Sequence, residues 1–248
     1  MLRVDEHNPQ AVALAERLRQ RLRSSTLPED LCVAIGGDGW MLTCIRELGP
    51  KYVFLGLNAG HLGFLLNDIE DLDQVVEQLH QSAWTAAYFP RLGMHTQSPS
   101  GESLEALAVN DLYAERSTGQ TAHLRLRING ETVVERLICD GLLIATALGS
   151  TAYSYSAGGV PTHPMVRSIQ ITPVCPHSPR LSPFILPEGA RIEVDALQTD
   201  RRPVRVVADG RDIGPMASMQ IQVGDEIRLA FLDGHQFTRT LISKVLRS

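Results

Sequence analysis

The sequence predicts an α/β N-terminal domain with a parallel, Rossmann-like sheet, followed by a β-rich domain whose strands are mainly antiparallel. Two observations support this fold class. Over residues 1–90, apolar runs alternate with segments of helical spacing, which is the pattern of strand–helix–strand units. Over residues 91–232, apolar residues recur at every second position, as in strands that bury one face. We therefore expect two domains with a boundary near residue 90.

The first helix and the first strands of the α/β domain have clear local signals. Asn8 is a suitable N-cap, and Pro9 is a suitable first helical residue. The apolar residues that follow at helical spacing are Ala11, Leu14, Ala15, Leu18 and Leu22. The apolar runs at residues 31–35 and 52–60 are nearly continuous, so we expect both to form strands buried on two faces.

A further helix is expected after the second apolar run. Either Asn67 or Asp68 could serve as its N-cap. The apolar residues that mark its buried face are Leu72, Val75, Val76 and Leu79. The same helical spacing returns in the tail at residues 237–248, so that a last helix is expected there.

The β-rich half is recognised from its alternation and from one turn. The stretch "HLRLRINGETVVERL" alternates apolar and polar residues and turns at Asn129-Gly130, which is a strong hairpin signal. Residues 191–197, "RIEVDAL", alternate in the same way. So do the residues on both sides of Gly224-Asp225. We expect a mainly antiparallel sheet whose polar face meets water or a partner.

The composition excludes several classes of protein. The chain has 248 residues, a net charge of -5 and a pI near 5.9, which gives no reason to expect nucleic acid as a partner. It has no apolar run long enough to span a membrane, and its first residues do not resemble a signal peptide. Among its four cysteines, Cys32 and Cys139 lie in apolar runs and are expected to be buried. No metal-ligand spacing is present, and we expect a cytoplasmic protein.

The stretch "IGGDGWML" follows the first apolar run and is the first candidate site. Gly36, Gly37 and Gly39 allow an anion to approach the backbone, and the helix that follows adds a partial positive charge. Asp38 would repel phosphate, unless it holds Mg²⁺ or takes a proton from an attacking hydroxyl. The alternative is that Asp38 only caps a helix that begins near Trp40. The spacing fits neither the dinucleotide fingerprint nor the P-loop.

Several further motifs occur in a fixed order after this turn, and together they resemble the NAD kinase family. The resemblance covers about residues 31–232. The Gly-Ser-Thr-Ala-Tyr block is its most specific part, whereas Gly-Gly-Asp-Gly turns are also found in lipid kinases and phosphofructokinases. The motifs that carry it are "GGDG", "GLNAGHLGFL", "VNDL", "CDGLLIATALGSTAYSYSAGG", "ITPVCPHS" and "ADG".

This resemblance implies a phosphotransferase. Members of the family transfer the γ-phosphoryl group of ATP, or in some cases of polyphosphate, to the 2′-hydroxyl of the adenosine ribose of NAD, which gives NADP. ATP implies Mg²⁺ or another divalent cation. Asp38 is then expected to accept the proton of the 2′-hydroxyl, while Gly36, Gly37 and Gly39 give the phosphates close access to the backbone.

The resemblance also assigns an NAD-lining set in the β-rich domain. Asn110 and Asp111 match a pair that holds adenine and ribose, and the alternative is that they only cap a loop. Asp140 is expected at the nicotinamide end of the ligand, from the same subunit or from its partner. The residues of the Gly-Ser-Thr-Ala-Tyr block that are expected to line NAD are Thr151, Ala152, Tyr153 and Ser156. For Tyr153, packing in the core or at an interface is the alternative.

The resemblance extends to architecture and to a third motif. Members of the family form dimers or tetramers with NAD sites built across subunits, and the chain's end, residues 233–248, is expected to pack back on the first domain. Asp209 and Gly210 match a family turn near the site. Arg211 stands where Gln is often found, and it either meets a ligand phosphate or lies in solvent. His163 is expected to be a structural hydrogen-bonding residue.

Departures from the family pattern define the competing hypotheses. Trp40 replaces a usual Thr, Ala147 and Leu148 replace Pro-Ser/Thr, and Asp111 is a shorter acid than Glu. The lost hydroxyl groups are compatible with a noncatalytic NAD(P)-binding sensor, although Asp38 is retained. A lipid kinase is the third hypothesis. We predict that the Trp40 indole packs beneath the glycine turn, because in the ligand cleft it would narrow the phosphate path.

Overall fold

The computed structural model describes residues 1–22, 27–60, 63–242 and 245. The elements up to the fourth strand are β1 (Leu2–Val4), α1 (Pro9–Leu22), β2 (Leu31–Gly36), α2 (Asp38–Leu48), β3 (Val53–Asn58), α3 (Leu72–Gln81) and β4 (Trp84–Gln97). The remaining elements are β5 (Ser103–Ala108), β6 (Asp111–Arg116), β7 (Ala122–Ile128), β8 (Glu131–Cys139), β9 (Gly141–Thr146), a 3₁₀ turn (Gly149–Thr151), α4 (Tyr153–Ser156), β10 (Ser168–Val174), β11 (Phe184–Pro187), β12 (Ile192–Ala196), β13 (Val204–Ala208), β14 (Arg211–Pro215), β15 (Ser218–Leu232) and α5 (Phe237–Leu241).

The chain forms two compact units. The α/β unit consists of Met1–Phe89 and Glu226–Ser248, and the β unit consists of Pro90–Asp225. The predicted fold class is confirmed, because the first unit has helices on a sheet with a parallel core of β1, β2, β3 and β15, and the second consists mainly of antiparallel strands. Of the predicted tail, residues 243, 244 and 246–248 lie outside the described residues.

Four strands of the α/β unit pair in parallel, and β4, whose first residues belong to this unit, pairs with β15 in the same sheet. Strand β1 pairs with β2, β2 pairs with β3, and residues 228–230 of β15 pair with β3, all in the parallel sense. Strand β2 is buried at every position, as its continuous apolar run predicts. The hydrophobic core of this unit lies between the sheet and helices α1 and α3. Strand β2 therefore delivers its last residue, Gly36, from a well-buried strand.

The helix starts follow the capping chemistry, with one correction. Asn8 Oδ1 accepts the N–H groups of Gln10 and Ala11 at 3.0 and 3.3 Å, so the predicted cap of α1 is confirmed. The predicted cap of α3 is wrong: Asp71, rather than Asn67 or Asp68, accepts the N–H of Asp73. That helix begins later than expected, because the preceding residues are used elsewhere.

Asn67 satisfies the backbone between two strands instead of capping a helix. Its side chain is buried, and its amide group donates to the carbonyl oxygens of Gly56 and Ala230 at 2.9 and 3.2 Å. Its Oδ1 atom accepts the N–H of Leu232 at 2.9 Å. A buried amide with three such bonds joins β3 to the end of β15.

The β unit is built from antiparallel pairs. One sheet has the order β11-β10-β9-β6-β13-β14. In the second, β12 lies between β7 and residues 218–221 of β15, and β7 also pairs with β8. The predicted hairpin turn is confirmed, since Asn129 and Gly130 both have positive φ angles of 52° and 85°. The alternation on the two sides of Gly224-Asp225 belongs to a single strand, β15.

The cysteines and the helices agree with the composition. Cys32, Cys44 and Cys139 are buried free thiols, whereas Cys175 is exposed. The burial of Cys32 and Cys139 was predicted from the apolar runs that contain them. Among the described residues, none of the helices combines the length and the apolar character that a membrane crossing requires.

Candidate active site

The glycine turn lies between strand β2 and helix α2. Strand β2 ends at Gly36, Gly37 is the extended N-cap, and Asp38 is the first residue of the helix. The alternative that Asp38 caps a helix beginning near Trp40 is therefore wrong. The first turn of α2 presents N–H groups that have no partner within the helix, which favours a nearby anion.

The Asp38 carboxylate is held by a second backbone segment of the same unit. Its Oδ2 atom accepts the N–H of Phe64 at 2.9 Å, and its Oδ1 atom accepts the N–H of Leu65 at 3.0 Å. These bonds orient the side chain and tie the glycine turn to the segment after β3. A carboxylate offers about four acceptor sites, and in its ionised form it can also accept a proton.

The three glycines of the turn have different surroundings. A Cβ atom at Gly37 or at Gly39 would meet no atom within 4 Å, so the backbone there lies open. A Cβ atom at Gly36 would lie 2.9 Å from Trp40 Cδ1 and 3.1 Å from Asp5 Cβ. Gly37 and Gly39 thus suit the close approach of a phosphate, whereas Gly36 is required by packing.

Trp40 lies against β1 and the end of β2, as predicted. Its Nε1–H donates to the carbonyl oxygen of Arg3 at 3.4 Å, and the Arg3 guanidinium lies 5.7 Å from the centre of the indole ring. Arg3 also forms an ion pair with Glu47 at the end of α2. The residue that departs most from the family pattern therefore joins the first strand to the helix of Asp38.

In the β unit, three sequence motifs meet at the segment Val109–Asp111. The Asp209 carboxylate accepts the N–H groups of Val109 and Asn110 at 2.8 Å each, and that of Asp111 at 3.2 Å. On the other side, Thr146 Oγ1 donates to the carbonyl oxygen of Val109 at 2.7 Å. The backbone of the predicted adenine- and ribose-binding pair is thus held at both its N–H and its carbonyl groups.

Gly149 closes the third side of this arrangement. A Cβ atom there would lie 2.1 Å from the backbone oxygen of Asn110, so only glycine fits. The N–H of Gly149 donates to Thr146 Oγ1 at 3.0 Å, and the N–H of Thr146 donates to the Asn110 carbonyl at 2.9 Å. The start of the Gly-Ser-Thr-Ala-Tyr block is therefore packed directly on Asn110.

The side chains of Asn110 and Asp111 differ in what they lack: one lacks a hydrogen-bond donor, and the other has a raised pKa. The Oδ1 atom of Asn110 is buried, and it has no hydrogen-bond partner among the described residues. Such an acceptor is costly unless a ligand or water donates to it. Burial, together with the neighbouring Asp209 charge, raises the pKa of Asp111 to about 7. Asp111 can therefore carry a proton near neutral pH.

The remaining residues predicted to line NAD differ in their exposure. Thr151 and Ala152 are partly buried, and Ser156 is exposed at the end of α4. Tyr153 is 39% exposed, and its ring meets that of Tyr113 edge-on, with ring centres 5.2 Å apart. The alternative that Tyr153 is a core residue is therefore wrong, because its side chain packs on Tyr113 but remains partly accessible.

Asp140 acts on Tyr153 electrostatically, and its charge contributes to the raised pKa of that phenol after burial and other groups. It follows β8, and its Oδ1 atom accepts Arg116 Nε–H at 2.8 Å in a partly exposed ion pair. Ala147 and Leu148, which replace the usual Pro-Ser/Thr, are buried. The two residues that depart from the family pattern here therefore pack inside the β unit. Arg211 is exposed.

Several residues that contact the predicted site residues are not among those that the sequence predicts. Thr146, Tyr113 and the buried hydroxyl of Ser154, which contacts Gln170 at 2.5 Å, had no role in the prediction. Thr146 could have been found from its place three residues before Gly149. Asp209 was recognised only as part of a family turn. In the part of the chain that the structure describes, no group of three or more His, Cys, Asp or Glu side chains could hold a metal ion.

Comparison with known protein sequences gives the same family from both parts of the chain. A family model described as the ATP-NAD kinase C-terminal domain matches residues 109–230. The NAD kinase of Rhizobium meliloti (strain 1021) is 36% identical over 208 residues, which are 82% of this chain and 79% of that protein. The NAD kinase of Xanthomonas oryzae pv. oryzae (strain MAFF 311018) is 36% identical over 242 residues, covering 94% and 92% of the two chains.

Solved structures show the same similarity. A yeast NADH kinase in complex with NADH matches with a TM-score of 0.79 and 28% identity, over 88% of this chain and 66% of that one. An NAD kinase from Archaeoglobus fulgidus in complex with ATP matches with a TM-score of 0.78 and 25% identity, over 100% of this chain and 97% of that one.

Proposed function

The chain belongs to the NAD kinase family, and from this premise we propose that it uses ATP to phosphorylate the 2′-hydroxyl of the adenosine ribose of NAD, with Asp38 as the general base. In this reaction the ribose oxygen forms a bond to the γ-phosphorus as the bond between that phosphorus and the β,γ-bridging oxygen breaks. ADP leaves, and the hydroxyl proton passes to the base. The products are NADP and ADP.

The observation that carries this proposal is the Asp38 carboxylate at the head of α2. Phosphoryl transfer needs a group that accepts the hydroxyl proton, together with a backbone that tolerates phosphates. The hydrogen bonds from Phe64 and Leu65 give Asp38 a defined direction. Gly37 and Gly39, which border it, carry no atom that would obstruct a phosphate.

The donor set of this chain is compatible with a cation that arrives with ATP. Mg²⁺ usually keeps several water ligands and binds through substrate phosphates with one or two carboxylates, so no all-protein cage is required. Asp38 is the carboxylate that the glycine turn offers to such a cation. Bound Mg²⁺ would neutralise charge on the transferred phosphoryl group.

We assign recognition of NAD to the β unit. The buried Oδ1 atom of Asn110 needs a donor, and the exocyclic amino group of adenine is a donor of the right kind. Asp111 can hydrogen-bond a ribose hydroxyl, and the accessible face of Tyr153 suits stacking. We also propose contacts from Asp140 and from the NAD-lining residues Thr151, Ala152 and Ser156.

The test is an assay for NADP with the purified chain, NAD, ATP and Mg²⁺. The wild-type chain should form NADP, and Asp38→Asn should lower kcat by about 10²–10⁴-fold with little change in the KM for NAD, as expected for loss of a general base. The matched control is Asp73→Asn, which removes a carboxylate from an exposed ion pair with Arg21 in the same unit. It should keep the wild-type kcat.

The asparagine variant also tests a purely structural role for Asp38. An amide offers only one acceptor oxygen to the two N–H groups, so Asp38→Asn should lower the melting temperature to some degree. A variant that loses stability but keeps kcat would mean that Asp38 only holds the Phe64–Leu65 segment. A wild-type chain that binds NAD but forms no NADP would favour the noncatalytic sensor instead.

The phosphoryl donor and the assembly are decided by separate measurements. Replacing ATP by polyphosphate in the same assay identifies the donor, and diacylglycerol as acceptor tests the lipid-kinase alternative.

We further propose a cytoplasmic homodimer or homotetramer, in keeping with four cysteines that all remain free thiols. Sedimentation equilibrium of the purified chain would contradict this assembly if it gave a monomer of 27.2 kDa.

A further inference from the structure

We propose that Asp209 is a positioning residue for NAD, whose carboxylate presents Asn110 and Asp111 to the ligand. This inference rests on the proposed function, because it concerns the same ligand. It goes further in assigning the task to a residue that does not itself have to touch NAD. Three backbone hydrogen bonds converge on this one side chain.

The Asp209 carboxylate binds the whole Val109–Asp111 segment through its backbone. Its Oδ1 atom accepts two N–H groups, those of Asn110 and Asp111, and its Oδ2 atom accepts that of Val109. The N–H of Asp209 itself donates to the carbonyl oxygen of Asp111 at 3.0 Å. Hydrogen bonds to an ionised acceptor are stronger than neutral ones, so three of them fix the segment firmly.

The fold holds Asp209 in an unusual backbone conformation. Asp209 and Gly210 form the turn between β13 and β14, with positive φ angles of 46° and 76°. Aspartate is one of the few residues other than glycine that adopt this conformation without a large cost. Strand β13 pairs with β6, with Ala208 opposite Leu112, so the turn stands beside the start of β6.

These contacts restrict the backbone of Asn110 and so restrict the direction of its side chain. The Asp209 carboxylate accepts the N–H of Asn110, and the carbonyl oxygen of Asn110 accepts the N–H of Thr146 at 2.9 Å. The backbone of Asn110 is therefore held on both sides. The buried Oδ1 atom of Asn110 is thereby kept in place for a donor from the ligand. Loss of Asp209 would free one side of the segment and lower the affinity for NAD.

The consequence for Asp111 is electrostatic. The charge of Asp209 opposes ionisation of Asp111, and the phenol groups of Tyr113 and Tyr153 are the other titratable groups that interact with it. Both phenols have a raised pKa, so they remain neutral at physiological pH. Burial is the larger cause of the raised pKa of Asp111 and persists without Asp209, so removing the Asp209 charge should lower that pKa only in part.

The experiment measures NADP formation by Asp209→Asn as a function of pH. The expected result is a KM for NAD that rises about tenfold or more, with kcat within about threefold of wild type. In the pH profile of kcat/KM for NAD, the midpoint that reflects ionisation of Asp111 should also move to lower pH. The matched control is Asp212→Asn in the same hairpin, whose carboxylate pairs with Arg205 at the surface. It should change neither quantity.

A second variant separates the carboxylate from the backbone turn. Asp209→Gly removes the carboxylate but favours the positive φ angle, so it should fold and should show the same rise in KM. Wild-type KM and an unshifted pH profile in either variant would overturn the proposal, even with a lower melting temperature. If the wild-type chain forms no NADP, the proposed function fails, and the dissociation constants of NAD for wild type and Asp209→Gly decide this inference instead.

Discussion

The indole of Trp40 occupies the space that a side chain at Gly36 would need. An ideal Cβ atom at residue 36 would lie 2.9 Å from Trp40 Cδ1 and 3.0 Å from Trp40 Cβ. The neighbouring Gly37 has no atom within 4 Å of the same position. Packing thus requires glycine at residue 36, whereas packing alone would tolerate a side chain at residue 37.

Gly36→Ala should therefore destabilise the protein, whereas Gly37→Ala should mainly weaken binding of the phosphoryl donor, ATP. We expect Gly36→Ala to lower the free energy of unfolding by about 1–3 kcal/mol, as for overpacking in a filled space. Gly37→Ala should change it by less than about 1 kcal/mol, because its cost is that of a poorer N-cap. Urea denaturation measures both variants, and the KM for ATP should rise in Gly37→Ala. Equal losses of stability would contradict this division.

Trp40 itself can be tested by a double-mutant cycle. In a Trp40→Thr background the indole contact is absent, so Gly36→Ala should cost less than in the wild-type chain. The contacts of the added Cβ with residue 40 Cβ and with Asp5 persist, and relief should be partial, with a coupling energy of about 0.5–2 kcal/mol. A coupling energy near zero would show that Trp40 does not impose the glycine.

Some features of this fold can be predicted from local residue order, and others cannot. Periodicity located the strands and the glycine turn, because burial on one or both faces leaves a direct mark on residue order. The cap of α3 was misplaced, since Asn67 has the right residue type for a cap but is used between two strands. Contacts between residues distant in sequence, such as those of Asp209 with Asn110, leave no local periodic signal.

Gly149 is a second position where packing should decide the result of a substitution. An alanine there would bring its Cβ within 2.1 Å of the Asn110 carbonyl oxygen, and a backbone atom cannot yield as a flexible side chain can. We expect Gly149→Ala to lose at least about 2 kcal/mol of stability and to raise the KM for NAD. Gly189→Ala is the matched control, because nothing lies within 4 Å of its Cβ position. Thermal denaturation that ranks the two variants equally would contradict the steric reading.

The thiols offer a test of burial that needs no substitution. In the folded protein, a reagent such as 5,5′-dithiobis(2-nitrobenzoic acid) should react quickly with Cys175, the exposed cysteine. Cys32, Cys44 and Cys139 are buried and should react only when the chain unfolds. The expected stoichiometry is one fast thiol in buffer and all four in denaturant. More than one fast thiol would contradict the burial described for this protein.

Asp111 should make the stability of the protein depend on pH in an unusual direction. Its pKa is about 7 in the folded protein, against about 4 in an unfolded chain. Below pH 4 the group is protonated in both states, so it carries no penalty. Between pH 4 and 7 only the unfolded chain ionises, which favours unfolding, and the stability contributed by the protonated group is lost as the pH rises. Above pH 7 the loss is complete.

The measurement compares wild type with Asp111→Asn by urea denaturation at pH 5 and at pH 8. Taking the difference between the two proteins cancels the titration of all groups outside this site. Asparagine does not ionise, so Asp111→Asn should gain about 2–3 kcal/mol relative to wild type between pH 5 and pH 8, which corresponds to about two pKa units. Because the Asp209 carboxylate accepts the backbone N–H of residue 111, the substitution leaves that contact in place. A difference that is the same at both pH values would mean that Asp111 ionises normally in the folded protein.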